Sequence, residues 1–178
     1  KPYLIACYDI CLNEKGELST YKKVDMKEEA EGEKWFAYVI TDNPSPWFNN
    51  QTYVDTLNKE AIDKFIEITY ESYKKYIGHK FGKSVPAIFT DEPQFQRKNT
   101  LNFATDKTEV LLPWTNNVPE TFKSQYGLDV LDFLPELIWE LPNKQVSKVR
   151  YLYHDHIAER FASAFADNCG KWCEKNNL

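Results

Sequence analysis

Alternation and helical spacing of apolar positions divide the chain into recognisable segments. "YLIACYDICL" at residues 3–12 is strand-like from its first residue and passes into a loop. Residues 18–24 and 35–40 read as a hairpin, or as a strand plus an excursion, whose acidic tip "MKEEAEGEK" is solvated. Residues 41–58 hold two prolines, four asparagines and three aromatics, too polar and too interrupted for a regular element, so they form a loop suited to function. Helical spacing then takes over. Between 58 and 78, Ile62, Phe65, Ile66, Thr69, Tyr73 and Ile77 recur every three or four residues, opposite Lys64, Glu67, Glu71 and Lys74. Asn58 is placed to cap this helix, Glu60 lies in its first turn, and Gly78 follows its end.

The short apolar run "VPAIF" at 85–89 suits a strand buried on both faces. Strand, loop, helix and strand then make a βαβ unit, which gives an α/β fold class with parallel strands. Residues 93–120 read as irregular. Short helices follow over 118–139, with Pro119 at a start and Pro135 and Pro142 as breaks. A long helix closes the chain over 144–176, its stripe running from Val146, Val149 and Tyr153 through Ile157, Phe161, Ala164 and Phe165 to Cys169 and Trp172. The whole reads as one α/β domain over residues 1–178.

Composition narrows the partners. The 178 residues carry a net charge of −5 with no basic stripe, which argues against nucleic acid. No apolar run approaches the roughly 20 residues of a membrane span, and no signal peptide opens the chain, which leaves localisation open. Aromatics make up 15% of residues, which suits both a packed core and a cleft that stacks on flat ligand faces. The cysteines fall at 7, 11, 169 and 173, and buried reduced thiols explain them better than zinc or disulfides. His154 and His156 lie two apart on a helix and point to different sides. No metal or cofactor is therefore called for, and the fingerprints of serine hydrolases, phosphate loops and dinucleotide enzymes are missing.

Candidate chemistry centres on "FTDEP", where an apolar run ends on Asp91 and Glu92. Ligands in parallel α/β folds bind at the carboxyl ends of strands. Neighbouring residues on a strand face opposite ways, so Glu92 is the acid expected to face a cleft and Asp91 its support. Tyr8 and Asp9 follow the first strand, Asp42, Asn43 and Trp47 follow the third, and Tyr53 and Asp55 precede the helix. With Trp114 they supply carboxylates, an amide and aromatic faces, the groups that bind a sugar. Asp42 also suits an Asx turn with Asn43 nearby, and Asp55 contact with the helix N-terminus. Three functions fit. One is a glycoside hydrolase with Glu92 as acid/base. Another is a non-catalytic carbohydrate-binding module using Trp47, Tyr53 and Trp114. The third is a metal-dependent hydrolase built on Asp9, Asp42, Asp91 and Glu92.

Residues 53–95, through "VDTLN", "KFIEITYESY" and "FTDEP", resemble a segment of large bacterial α-L-rhamnosidase-like glycoside hydrolases. "WCEKNNL" is similar to the end of a barrel helix in the same family. The resemblance implies a (β/α)8 TIM-barrel segment, with an inward-facing acid at Glu92 and an oligosaccharide or glycoside as substrate. With about 250 residues needed for a full barrel, it also implies a partial one that belongs with other domains of a larger parent chain. Strand edges exposed in such a piece would favour homo-oligomers.

Overall fold

The first ten-residue strand is the spine of the sheet. In the computed structural model, which describes residues 2–178, β1 (Tyr3–Leu12) lies between β2 (Leu18–Lys23) and β3 (Glu33–Val39). Both neighbours run antiparallel to it, Tyr8 pairing with Lys23 on one side and Trp35 on the other. The expected 18–24 with 35–40 hairpin is thus replaced by the order β2-β1-β3. Asn13 shapes the β1–β2 turn, its side-chain oxygen accepting the Lys15 and Glu17 amides.

No parallel strand pair forms among the described residues, beyond an isolated bridge between Phe81 and Val85. This overturns the α/β class with parallel βαβ units. The resemblance to α-L-rhamnosidase-like hydrolases is corrected with it, because an antiparallel three-stranded sheet with helices is not a segment of a (β/α)8 barrel. The physical reason lies in "VPAIF". Pro86 has no N–H to give a ladder, Phe89 is 87% exposed, and residues 86–100 carry no regular structure.

The chain divides into two compact units, residues 1–43 with 97–156, and residues 44–96 with 157–178. The first unit packs one face of the sheet onto short helices. Tyr8, Ile10 and Leu18 are buried, the Trp35 and Trp139 rings meet edge to face at 4.9 Å, and the Tyr8 hydroxyl donates to Leu131 O at 2.5 Å. Around them stand α3 (Val118–Tyr126), three short 3₁₀ turns between Val130 and Lys144, and the start of α4 (Lys148–Phe161). Tyr153 is fully buried in α4, its hydroxyl donating to Pro113 O. His156 is a core histidine, its ring nitrogens joined to Thr121 Oγ1 at 2.9 Å and Gln125 Oε1 at 2.8 Å.

The second unit is helical. Asn58 caps α1 (Lys59–Ile68) as its position implies, accepting the amides of Glu60 and Ala61. The helix expected over 58–78 is broken at Thr69, and α2 (Tyr70–Ile77) follows. After α4, a five-residue π segment (Ala162–Ala166) leads into α5 (Asp167–Lys175). One extra residue per turn shifts the helix phase there, and Ala164, Phe165, Cys169 and Trp172 are buried. Only the first member of the expected stripe fails: Val146 is exposed, two residues before the helix starts.

Asp9 makes a structural latch in the first unit. Its carboxylate accepts the amides of Gly32 at 2.8 Å and Glu31 at 2.9 Å, and Lys22 Nζ lies 3.9 Å away. Those two amides, ahead of the Lys22 and Lys34 charges, hold its carboxyl below the ordinary value of 3.8. A depressed folded pKa adds stability above the unfolded value, and that stability disappears as pH falls through the folded value. Wild type is therefore expected to lose stability below about pH 4, while Asp9→Asn shows a weaker acid dependence and lower stability at neutral pH. Urea midpoints of both proteins from pH 3 to pH 7 check this; parallel curves would refute it.

Candidate functional site

The loop of the second unit closes a compact turn with its own backbone. Ser45 and Gln51 form an antiparallel bridge that closes a seven-residue turn around the 3₁₀ helix Pro46–Phe48. Ser45 Oγ accepts the Trp47 amide at 3.2 Å, and its carbonyl accepts the amides of Phe48 and Asn50. Asn49 and Asn50 take the left-handed conformation, which asparagine tolerates better than most residues. Trp47 sits in this turn with 88% of its surface exposed. Burying such a ring against a ligand would remove a large apolar area from water.

A chain of contacts leads from this turn to the acidic dipeptide. The Phe48 and Tyr53 rings lie 4.9 Å apart. The Gln94 amide donates to the Tyr53 hydroxyl at 3.1 Å, and the Thr56 hydroxyl donates to the Gln94 carbonyl at 2.6 Å. Both backbone groups of Gln94 are thereby held against residues 53–56. Phe95 packs edge-on to Phe161, ring centres 5.3 Å apart. Two residues before Gln94, Glu92 adopts φ +43°, a left-handed conformation unusual for a glutamate, and Pro93 follows it. Non-glycine residues in such regions cost about 1–3 kcal/mol and gather at functional sites. Asp91 and Glu92 are both exposed.

Asp55 closes an Asx turn, accepting the Leu57 amide at 3.1 Å, while the expected contact with the helix N-terminus is made by Asn58 instead. Arg160 Nη2 donates to Leu57 O at 2.9 Å. Burial pulls the Arg160 guanidinium below its ordinary value, and the Asp55 charge opposes that shift.

Among the sequence candidates, Trp47, Tyr53, Asp55, Asp91 and Glu92 belong to the second unit, and Tyr8, Asp9, Asp42, Asn43 and Trp114 to the first. Tyr8 and Asp9 are committed to the core and the latch described above. Burial, then the Asp132 and Asp129 charges, push the Tyr8 hydroxyl upward. Asp42 and Asn43 are exposed and Trp114 is half-buried. Phe48, Thr56, Gln94 and Phe95 are not among the sequence candidates, although each lies within three residues of one, in "PWFNN", "VDTLN" or "DEPQF". Their roles rest on backbone groups and ring packing, which residue type alone does not signal.

Among the described residues, no three His, Cys, Asp or Glu side chains are grouped to hold a metal, and no helix is long and apolar enough to cross a membrane. The four cysteines are free, and burial raises the Cys7, Cys169 and Cys173 thiols. No family model matches the chain, and no curated protein or solved structure matches it.

Proposed function

We propose that the chain handles carbohydrate and cleaves glycosidic bonds, with Glu92 as proton donor and the Trp47 turn as sugar platform. The observation that carries this reading is the clamp on Gln94. It ties a strained glutamate to the same loop that exposes an indole and orders a tyrosine. A pyranose presents C–H faces to an aromatic ring and hydroxyls to carboxylates, so the two kinds of group serve one ligand. Glycoside cleavage uses a carboxylic acid to protonate the leaving oxygen and a second carboxylate as nucleophile or base. Asp91 and Asp55 are the further carboxylates of this unit nearest in sequence to the clamp.

The test is hydrolysis of a panel of aryl glycosides, rhamnosides included, by wild type and Glu92→Gln. Loss of a general acid lowers the rate by about 10²–10⁴-fold, and that loss is the expected result. Equal rates in the two proteins would remove Glu92 from the mechanism.

Binding without turnover is the second reading, favoured by the exposure of both acids, since general acids in glycosidases usually sit in partly buried pockets. It expects sugar to quench tryptophan fluorescence in wild type, Trp47→Ala to lose the quenching, and every glycoside to stay intact.

A further inference from the structure

The first unit carries an open cavity of about 490 Å³ that the reading above does not use. Its size lies within the range of small-molecule sites, about 300–1,000 Å³. It lies between β2 and the turn Pro142–Lys144. Leu141 and Pro142, half-buried above the buried Leu18, give it an apolar floor, while Thr20, Asn143 and Gln145 bring hydroxyl and amide groups. Glu136 and Tyr21 also line it, and they are joined: the Tyr21 hydroxyl donates to Glu136 Oε1 at 2.7 Å. Ser147 Oγ donates to Glu136 Oε2 at 2.6 Å. A carboxylate has about four acceptor positions, so two hydroxyl donors fix this one and leave about two positions unused.

Two further facts point to a ligand of a particular kind. Among the described residues, no Lys, Arg or His lines the cavity, so it offers no cation to an anionic ligand. Asn143 (φ 58°, ψ 28°) and Lys144 (φ 58°) are consecutive left-handed residues in the turn that forms its wall. Asparagine tolerates this conformation, but for Lys144 it costs about 1–3 kcal/mol, and such strain concentrates at ligand clamps.

We propose that this cavity binds one ring of a neutral sugar, its adjacent hydroxyls donating to Glu136 and its C–H face resting on Leu141 and Pro142. Asn143 and Gln145 complete the polar rim. The site is independent of the Trp47 platform and stands or falls separately from glycoside cleavage.

Amide chemical shifts of the whole ¹⁵N-labelled chain, titrated with glucose, galactose, rhamnose and N-acetylglucosamine, test it. At least one sugar is expected to shift residues 18–21 and 141–145. Glu136→Gln is expected to weaken that binding by about tenfold, because it removes the charge from a pair of hydrogen bonds. Gln145→Ala, at an exposed position, tests the rim in a protein whose packing is untouched, and weaker binding is again expected. Silence from the whole panel, shifts confined to residues 45–53, or unchanged affinity in Gln145→Ala and Glu136→Gln would each overturn the proposal.

Discussion

Gly32→Ala is expected to destabilise the first unit strongly. A Cβ built at Gly32 would lie 2.1 Å from Ile10 O and 2.7 Å from Ile10 C, with Cys11 Sγ at 2.8 Å. Two of those neighbours are backbone of β1, which is paired on both sides and cannot retreat without breaking its ladders. The close approach also serves the latch, since the Gly32 amide reaches Asp9 at 2.8 Å. Overpacking against rigid neighbours costs about 3 kcal/mol and sometimes more, a large part of the roughly 5–15 kcal/mol that holds a domain folded. Gly170→Ala is the matched control. Gly170 is exposed in α5 and no atom lies within 4 Å of its Cβ position, so alanine there is expected to stabilise by about 0.5–1 kcal/mol. Thermal unfolding by circular dichroism reads both. A Gly32→Ala protein that melts with wild type would show that β1 and the 31–32 turn yield more easily than the geometry implies.

That two glycines of one chain should respond with opposite sign also shows what sequence patterns hold and omit. Gly32 reads as a turn signal beside the acidic tip and Gly170 falls inside the helix expected over 144–176, but neither position reveals how close Ile10 comes to Gly32. The same limit explains the overturned fold class. The strand-like stretches at 3–12, 18–24 and 35–40 are legible as β1, β2 and β3 because strand tendency lies in each segment's own residues. Strand direction depends on the partner, and nothing in alternation encodes it. "VPAIF" looked like a doubly buried strand because an apolar run of five is short enough to be mistaken for one; its proline and its exposed Phe89 put it in irregular chain instead. Asn58 was legible because a cap acts within three residues of itself.

The candidate site divides along the same line. Tyr8 and Asp9 were nominated for their types at the end of a supposed parallel strand. In an antiparallel sheet that end has no special standing, and both serve the core and the latch. Trp47, Tyr53 and the Asp91–Glu92 pair were nominated from two segments some 40 residues apart, and Gln94 ties those segments together. The residues that make the tie, Thr56 and Gln94, act through a hydroxyl and a peptide group, for which composition gives no warning. Tyr21, Glu136 and Asn143 were silent for a related reason: their cavity joins β2 to a turn more than a hundred residues later.

Trp172→Ala is expected to produce the largest loss in the second unit. Trp172 is buried in α5 with Ile62, Ile66, Tyr70, Phe81, Phe165 and Cys169, a cluster drawn from both α1 and α2 and from the π segment. Its ring centre lies 5.0 Å from Tyr70 and 6.1 Å from Phe81, and its indole N–H donates to Glu71 Oε1 at 2.7 Å. Truncating a buried tryptophan costs about 3–5 kcal/mol, through lost apolar burial and the cavity left behind. Trp172→Phe is the intermediate step. It keeps a smaller ring in the cluster and deletes the bond to Glu71 together with the rest of the indole's volume, so about 0.5–1.5 kcal/mol for a bond to an exposed, solvated partner is joined by a small cavity cost. Guanidinium unfolding of the three proteins is expected to order them as wild type, Trp172→Phe and Trp172→Ala, with the wider gap between the last two. Equal losses in the two variants would mean that the hydrogen bond to Glu71, and not ring burial, anchors α5. Near-wild-type midpoints in both would show that the cluster closes around the missing ring, and that α1, whose capped end adjoins Tyr53 and Thr56, takes its support from elsewhere in the unit.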